Sequence, residues 1–266
     1  MAEPRRRRRR PVGPPAVSIR NLRKEFGAKV AVDDLSLDVP TGSFFGLVGP
    51  NGAGKSTTLK ATTGLLRPTR GTVVVDGVDV WSDPPAAKAR MGILPEDPKL
   101  FDRLTGGELL TYNGLLRGMR PEVVEARAVE LLEVLGLADA TRTMVVDYSQ
   151  GMRKKAALAC ALIHAPRVLF LDEPFESVDP VSARTIRMVL QRFTDEGGTV
   201  VFSSHVMDTV ERLCDHVAIL HHGRVVASGA TAAVRGGRAL EDVFIEAVGA
   251  VDAPGVALSW LGTSSD

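Results

Sequence analysis

Residues 49–57 read Gly-Pro-Asn-Gly-Ala-Gly-Lys-Ser-Thr and follow an apolar run at 44–48. Gly49, Gly54, Lys55 and Ser56 stand at the spacing GxxxxGK[ST], and the residues from Lys55 onward have the composition of a helix. Glycines let backbone N–H groups converge on phosphate oxygens, and a helix N-terminus adds a favourable dipole. Lys55 would set a cation on the β- and γ-phosphates, and Ser56 would offer its hydroxyl to Mg2+. The whole stretch of Gly49, Pro50, Asn51, Gly52, Ala53, Gly54, Lys55, Ser56 and Thr57 is the candidate cradle for a nucleotide's phosphates. A chance match in a glycine-rich turn is the weaker alternative, because strand, loop and helix agree.

A second constellation lies at 168–174, Val-Leu-Phe-Leu-Asp-Glu-Pro. A buried strand that ends in two carboxylates is costly unless they meet a metal or a polarised water. In ATPases with a phosphate loop such a strand lies beside the loop; Asp172 would then hold Mg2+, and Glu173 would orient or deprotonate the attacking water.

The stretch just before it, 147–166, reads DYSQGMRKKAALACALIHAP. Ser149 and Gly151 open a helical run, and a hydroxyl, backbone N–H groups and a helix dipole at one point form another phosphate site. A chain holding one nucleotide does not need two. Taken alone the stretch is equally an ordinary capped helix, but between these neighbours it resembles the signature of ATP-binding cassette (ABC) proteins, usually written LSGGQ. Here it stands as Tyr148, Ser149, Gln150, Gly151 and Met152, of which Ser149 and Gly151 match.

The resemblance runs in the family's order from about Val17 to Gly229 and implies further roles. Phe26 falls where the family stacks an aromatic ring on adenine. Ser149 and Gly151 correspond to the site for the γ-phosphate of ATP held by a second subunit. Asp179 falls in the D-loop that crosses that dimer interface, and His205 at the switch histidine that contacts the γ-phosphate. Glu96 stands where the family has the Gln that touches Mg2+ and the catalytic water. A carboxylate still ligates Mg2+, but it adds negative charge and donates no hydrogen bond. Gln150 places a side chain where a glycine would let the backbone approach phosphate closely.

These residues need a scaffold, and the chain alternates short β-branched or aromatic runs with helical stretches. Strands are expected at 17–22, 44–48, 72–77, 91–94, 168–171, 199–204, 216–220 and 224–229, several of them continuous apolar runs that suit parallel strands covered on both faces. Between 101 and 142 the strands stop. There Val124, Ala128, Leu131, Leu132 and Leu135 recur at helical spacing, with Pro121 at the start and Gly136 at the stop. The pattern is α/β, and the resemblance makes it a P-loop NTPase (RecA-like) core with an antiparallel β subdomain and an inserted α-helical subdomain. Expected boundaries are a disordered Arg-rich tail at 1–15, an ATPase domain at 16–232 with its helical subdomain at about 97–158, and a C-terminal helical tail segment at 233–266.

Composition narrows the setting. Of 33 basic residues six are consecutive, Arg5 to Arg10, which leaves 27 against 32 acidic ones and a mildly acidic remainder. No stretch approaches the roughly 18 apolar residues of a membrane-spanning helix. The basic start is followed by prolines rather than an apolar segment, which argues against a secretion signal. Cys160 and Cys214 lack CxxC spacing and read as buried thiols.

The resemblance therefore implies an ATPase subunit of an ABC exporter, peripheral on the cytoplasmic face of the cell membrane, binding ATP and Mg2+. Its partners would be a separate transmembrane permease subunit and a second ATP-binding subunit, identical or different. Residues 240–249 resemble the tail of ABC-2-type export subunits, and 95–105 would line the groove that docks a membrane-subunit helix. One alternative is a soluble ABC ATPase acting on nucleic acid, prompted by the arginine run and opposed by the single cassette and the acidic remainder. Another is a hydrolysis-poor regulatory subunit, prompted by Glu96 and Gln150 and opposed by Glu173 and His205.

Overall fold

The computed structural model describes residues 13–249; the Arg5 to Arg10 run and residues 250–266, both expected as parts of tails, lie outside the described residues. Residues 13–15, the end of the expected N-terminal tail, are tied to the body where the Thr41 hydroxyl donates to the Pro14 carbonyl at 2.9 Å.

Five strands run parallel or nearly fill a central sheet. β3 (Phe44–Val48), β6 (Met91–Leu94), β7 (Val168–Asp172), β8 (Thr199–Ser204) and β9 (His216–His221) are joined at one edge by β10 (Arg224–Ala230), in the order β10-β9-β3-β8-β7-β6. Only β10 pairs antiparallel. The continuous apolar runs have a direct cause here: Phe44 and Val48 face one core while Phe45 and Leu47 face another. Leu169 and Leu171 likewise separate from Val168 and Phe170. Each fully buried Leu or Phe contributes ~2 kcal/mol of apolar burial.

One core lies between this sheet and a four-stranded antiparallel sheet, ordered β2-β1-β4-β5, made of β1 (Val17–Phe26), β2 (Lys29–Val39), β4 (Arg70–Val75) and β5 (Val78–Asp79). The antiparallel β subdomain is as expected, and two details differ: the strand at 17–22 extends to Phe26, and β2 is a strand that the apolar pattern does not reveal. Asp34 adopts φ 55° and Asn21 φ 49°, and the β1–β2 register shifts around Leu22. Such bulges move the buried positions from Val32 to the odd-numbered Leu35, Leu37 and Val39, which breaks the alternation on which a sequence reading depends.

The second core is closed by helices. α1 (Lys55–Thr62), after β3, and α2 (Pro84–Arg90), before β6, instead place Leu59, Ala61 and Ala87 in the core between the two sheets. α3 (Gly106–Leu116), α4 (Pro121–Val134) and α5 (Gln150–Leu162) form the helical insertion. α3 begins with a capping box in which Thr105 and Glu108 satisfy each other's backbone N–H groups. On α4, Val124, Ala128 and Leu132 are buried as the spacing predicts, while Val129 on the opposite face is exposed. α6 (Pro180–Asp195) and α7 (Met207–Leu213) follow β7 and β8. α8 (Thr231–Arg235) and α9 (Leu240–Val248) follow β10, and the Leu240 N–H donates to Glu211 at 3.0 Å, which holds α9 against α7. Cys160 and Cys214 are free thiols, and burial pushes the Cys160 thiol up to about 12.

Candidate functional site

The parallel strands β3, β7 and β8 all end on the same side, and the groups that follow them meet there. Pairing sets Val48 beside Ser204 and Asp172 beside Ser203. From β3 the chain turns through residues 49–54 into α1. Gly54 has φ 102°, and a Cβ there would stand 2.6 Å from the Ala31 carbonyl oxygen, so both the conformation and the packing require glycine. No side chain caps α1, which leaves its first-turn N–H groups and dipole directed at the loop.

Lys55 is buried and donates to the carbonyls of Gly49 at 2.8 Å and Pro50 at 3.3 Å. Its Nζ also lies 3.6 Å from Glu173 Oε1. Ser56 donates to Asp172 Oδ1 at 3.1 Å, and the buried Ser203 hydroxyl donates to the same oxygen at 2.6 Å. Ser203 in turn accepts the Glu173 N–H at 3.0 Å. His205 Nδ1 sits 3.1 Å from Glu173 Oε1. Glu173 adopts the left-handed φ of 45°, which costs a non-glycine residue about 1 kcal/mol and aims its side chain back toward Lys55. Burial raises the Glu173 carboxyl above the ordinary glutamate range, against the opposing pull of His205 and Lys55.

These groups border an open cavity of about 410 Å3. Its walls include Asn51, Gly52, Ala53, Gly54, Lys55, Ser56 and Thr57 from the phosphate loop, together with Glu96, Glu173 and His205. Gly49 and Pro50 lie behind the loop, where they hold Lys55, and Asp172 lies beneath Ser56. Phe26 is half exposed at the end of β1, outside the cavity wall but paired with Lys29, and Lys24 Nζ lies 5.0 Å from its ring centroid. The neighbouring Lys29, Val30 and Ala31 do line the cavity.

Ser149, Gly151 and Asp179 form a separate cluster. Ser149 caps α5 by accepting the Met152 N–H at 3.3 Å. Asp179 caps α6 by accepting from Val181 at 3.0 Å and Ser182 at 2.9 Å, and these backbone donors, Ser182 first, hold its carboxyl below the usual range. A Cβ on Gly151 would come within 2.7 Å of both Asp179 Oδ2 and Ser182 Oγ, so glycine lets the two helix starts touch. None of the three borders the cavity.

Several residues at the site escape the sequence reading. Glu176, Lys29, His222 and Gly223 line the cavity, and no local motif marks them. Ser203 had one visible signal, a hydroxyl ending an apolar strand two residues before His205. Lys154, fully buried on α5, donates to the Glu96 carbonyl at 2.7 Å and to the Glu173 carbonyl at 3.1 Å. Burial lowers its ammonium pKa, opposed by Glu176, Glu96, Asp172 and Glu173.

Among the described residues no cluster of three or more His, Cys, Asp or Glu side chains forms a metal cage. A hydroxyl and a carboxylate in contact, Ser56 and Asp172, instead suit Mg2+, which takes few protein ligands and completes its shell with phosphate oxygens and water. No helix of the described residues is long and apolar enough to cross a membrane.

Comparison with known proteins agrees with this geometry. A family profile described as ABC transporter matches residues 32–176. The daunorubicin/doxorubicin resistance ATP-binding protein DrrA of Streptomyces peucetius is 38% identical over 216 residues, 81% of this chain and 66% of that one. The chain thus spans just under two thirds of that relative's length. Nod factor export ATP-binding protein I of Burkholderia lata is 38% identical over 220 residues, 83% of this chain and 72% of that one. A solved ATP-binding subunit of an ABC transporter superposes with a TM-score of 0.82 at 29% identity, covering 88% of this chain and 99% of the other.

Proposed function

This chain belongs to the ABC transporter family, and on that premise we propose that it is the ATP-hydrolysing subunit of an export-type transporter, of the ABC-2 kind. It binds ATP with Mg2+, pairs with a second ATP-binding chain, and works on the cytoplasmic face of the membrane against a separate permease subunit. The observation that carries this reading is the chain of contacts from Ser56 through Asp172 and Ser203 to Glu173, with Lys55 and His205 on the same Glu173 oxygen.

Each side chain then has a task. Lys55 and the uncapped N-terminus of α1 hold the β- and γ-phosphates and stabilise charge on the transferring group. Ser56 and Asp172 hold Mg2+, with Glu96 within reach from the cavity wall; the ion would neutralise phosphate charge and fix the phosphate oxygens. Glu173, its basicity raised by burial, accepts a proton from the attacking water, and His205 orients that carboxylate and senses the γ-phosphate. Phe26 and the adjacent Val30 supply an apolar platform for the base. Ser149 and Gly151, remote from this chain's own cavity, present an N-terminal dipole to the ATP of the partner chain, and Asp179 crosses the interface beside them. The insertion at 106–162 and the loop before it receive the permease, in keeping with the exposed Phe101, Tyr112, Leu115 and Leu116 on that surface.

The test is the molar mass of the Glu173→Gln chain by light scattering, with and without MgATP, alongside ATP hydrolysis by the unsubstituted chain. Hydrolysis and an ATP-dependent dimer of the variant are expected. A chain that neither binds nor hydrolyses ATP would overturn the reading.

A further inference from the structure

Replacing the expected Gln by Glu96 puts a further carboxylate on the wall of a cavity that already holds Glu173 and Glu176. Three like charges beside a triphosphate repel both it and one another. The structure contains a countermeasure in the same chain. Lys154 leaves α5 one turn after Ser149 and is 2% exposed. Its Nζ donates to the main-chain oxygens of Glu96 at 2.7 Å and Glu173 at 3.1 Å, two residues far apart in sequence that both border the cavity. Glu96, Asp172, Glu173 and Glu176 all face this ammonium. A methionine would fill the same space without desolvating a charge, an exchange that interiors usually favour. Packing alone therefore does not account for a lysine here.

We propose that Lys154 is a positioning residue that ties the Glu96 segment to the Glu173 turn, and that its charge offsets the carboxylate which Glu96 brings to the cavity. The Glu173 turn needs such a tie. Glu173 and Ser177 both hold left-handed backbone, at φ 45° and 56°, and a segment with that strain relaxes unless neighbours over-determine it. Lys154 also belongs to the helix whose first residues form the Ser149 cluster, so a shift of α5 moves both carbonyls that its Nζ holds. The proposal rests on the ATPase reading only for its effect on rate; its structural half concerns the chain without nucleotide.

Hydrogen exchange of the nucleotide-free full chain tests that half. Lys154→Met should speed exchange in peptides spanning 94–98 and 173–177 while leaving β3 and β8 unchanged, and Lys154→Arg should restore protection. Faster exchange in neither segment, or in only one, overturns the tie. The charge role is read from a double-mutant cycle on ATP hydrolysis. Lys154→Met should lower kcat roughly tenfold with KM for ATP within about twofold, as a lost support for a site residue does. The same change in a Glu96→Gln background should cost less than half as many fold. Equal losses in the two backgrounds overturn the charge role, whatever exchange shows. If Lys154→Met does not fold, Lys154→Gln, which keeps a donor but no charge, carries the kinetic cycle, and Lys154→Ala, which keeps neither, carries the exchange readout. An unsubstituted chain without hydrolysis would overturn the ATPase reading and leave the exchange result to decide the tie.

Discussion

Around the phosphate loop, Lys55, Glu173 and His205 are linked within one chain, as are Ser56, Asp172 and Ser203. At the starts of α5 and α6 the contacts are of another kind: Ser149 and Asp179 cap their own helices, and Gly151 lets those caps meet. The first region borders a cavity; the second does not. In the proposed function the first is a half-site with its acid–base groups assembled, and the second is a surface for the nucleotide of a partner chain. On that reading the start of α5 serves a second nucleotide rather than the one in this chain's own loop, and the two regions can be broken separately.

The largest effect belongs to the assembled region. Glu173→Gln keeps the shape of the side chain and Lys55 keeps its carbonyl anchors, so MgATP affinity should hold while the rate falls by about 10²–10⁴-fold, the usual worth of a positioned base. Steady-state hydrolysis and fluorescent-nucleotide titration measure the two quantities. A rate within tenfold of the original would place the base elsewhere.

Gly151→Ala breaks the other region. Its Cβ would meet Asp179 and Ser182 at 2.7 Å, both of them in a helix cap rather than at a flexible tip. In the Glu173→Gln background, MgATP binding by the single chain should stay within about twofold, and ATP-dependent dimerisation should weaken roughly tenfold, a loss of about 1.4 kcal/mol. If nucleotide binding by the monomer falls instead, the two regions are not separable and the comparison fails.

A smaller change sharpens it. Gln150 is exposed at the first position of α5, where it carries a side chain in place of a glycine. Gln150→Gly should strengthen ATP-dependent pairing by roughly threefold, partly offset by the helix penalty of glycine. Weaker pairing would mean that the Gln150 amide itself contacts the partner's nucleotide.

Legibility in the sequence divides along the same line. The phosphate loop and the Asp172–Glu173 strand end are local in sequence, because a turn that converges N–H groups and a strand that ends in carboxylates each need a contiguous set of residue types. Ser149, Gly151, Asp179 and His205 are visible only through family resemblance, since a capped helix or a lone histidine has no local mark of function. Lys154 and Ser203 escape a sequence reading because their partners, Glu96 and Glu173 for one and Asp172 for the other, come from distant segments that only the sheet order brings together. β2 escapes for a different reason: the bulge near Asp34 moves its buried residues between even and odd positions.

Acid offers the gentlest separation of the two regions. In the proposed function Glu173 works deprotonated, and burial raises its pKa, so it becomes protonated at a higher pH than a free glutamate does. Asp179 moves the opposite way, because the Ser182 N–H and hydroxyl favour its charged form, so its cap persists to lower pH. As pH falls from neutrality, hydrolysis should therefore decline by a few-fold before ATP-dependent pairing weakens, with rate and light-scattering mass followed in the same buffers. His205 pulls the Glu173 pKa down, so His205→Ala should shift the acid limb of the rate profile upward and leave the pairing profile in place. Pairing that fails first would put the acid-sensitive group at the starts of α5 and α6, and would make the capped region, not the assembled one, the part that limits the site.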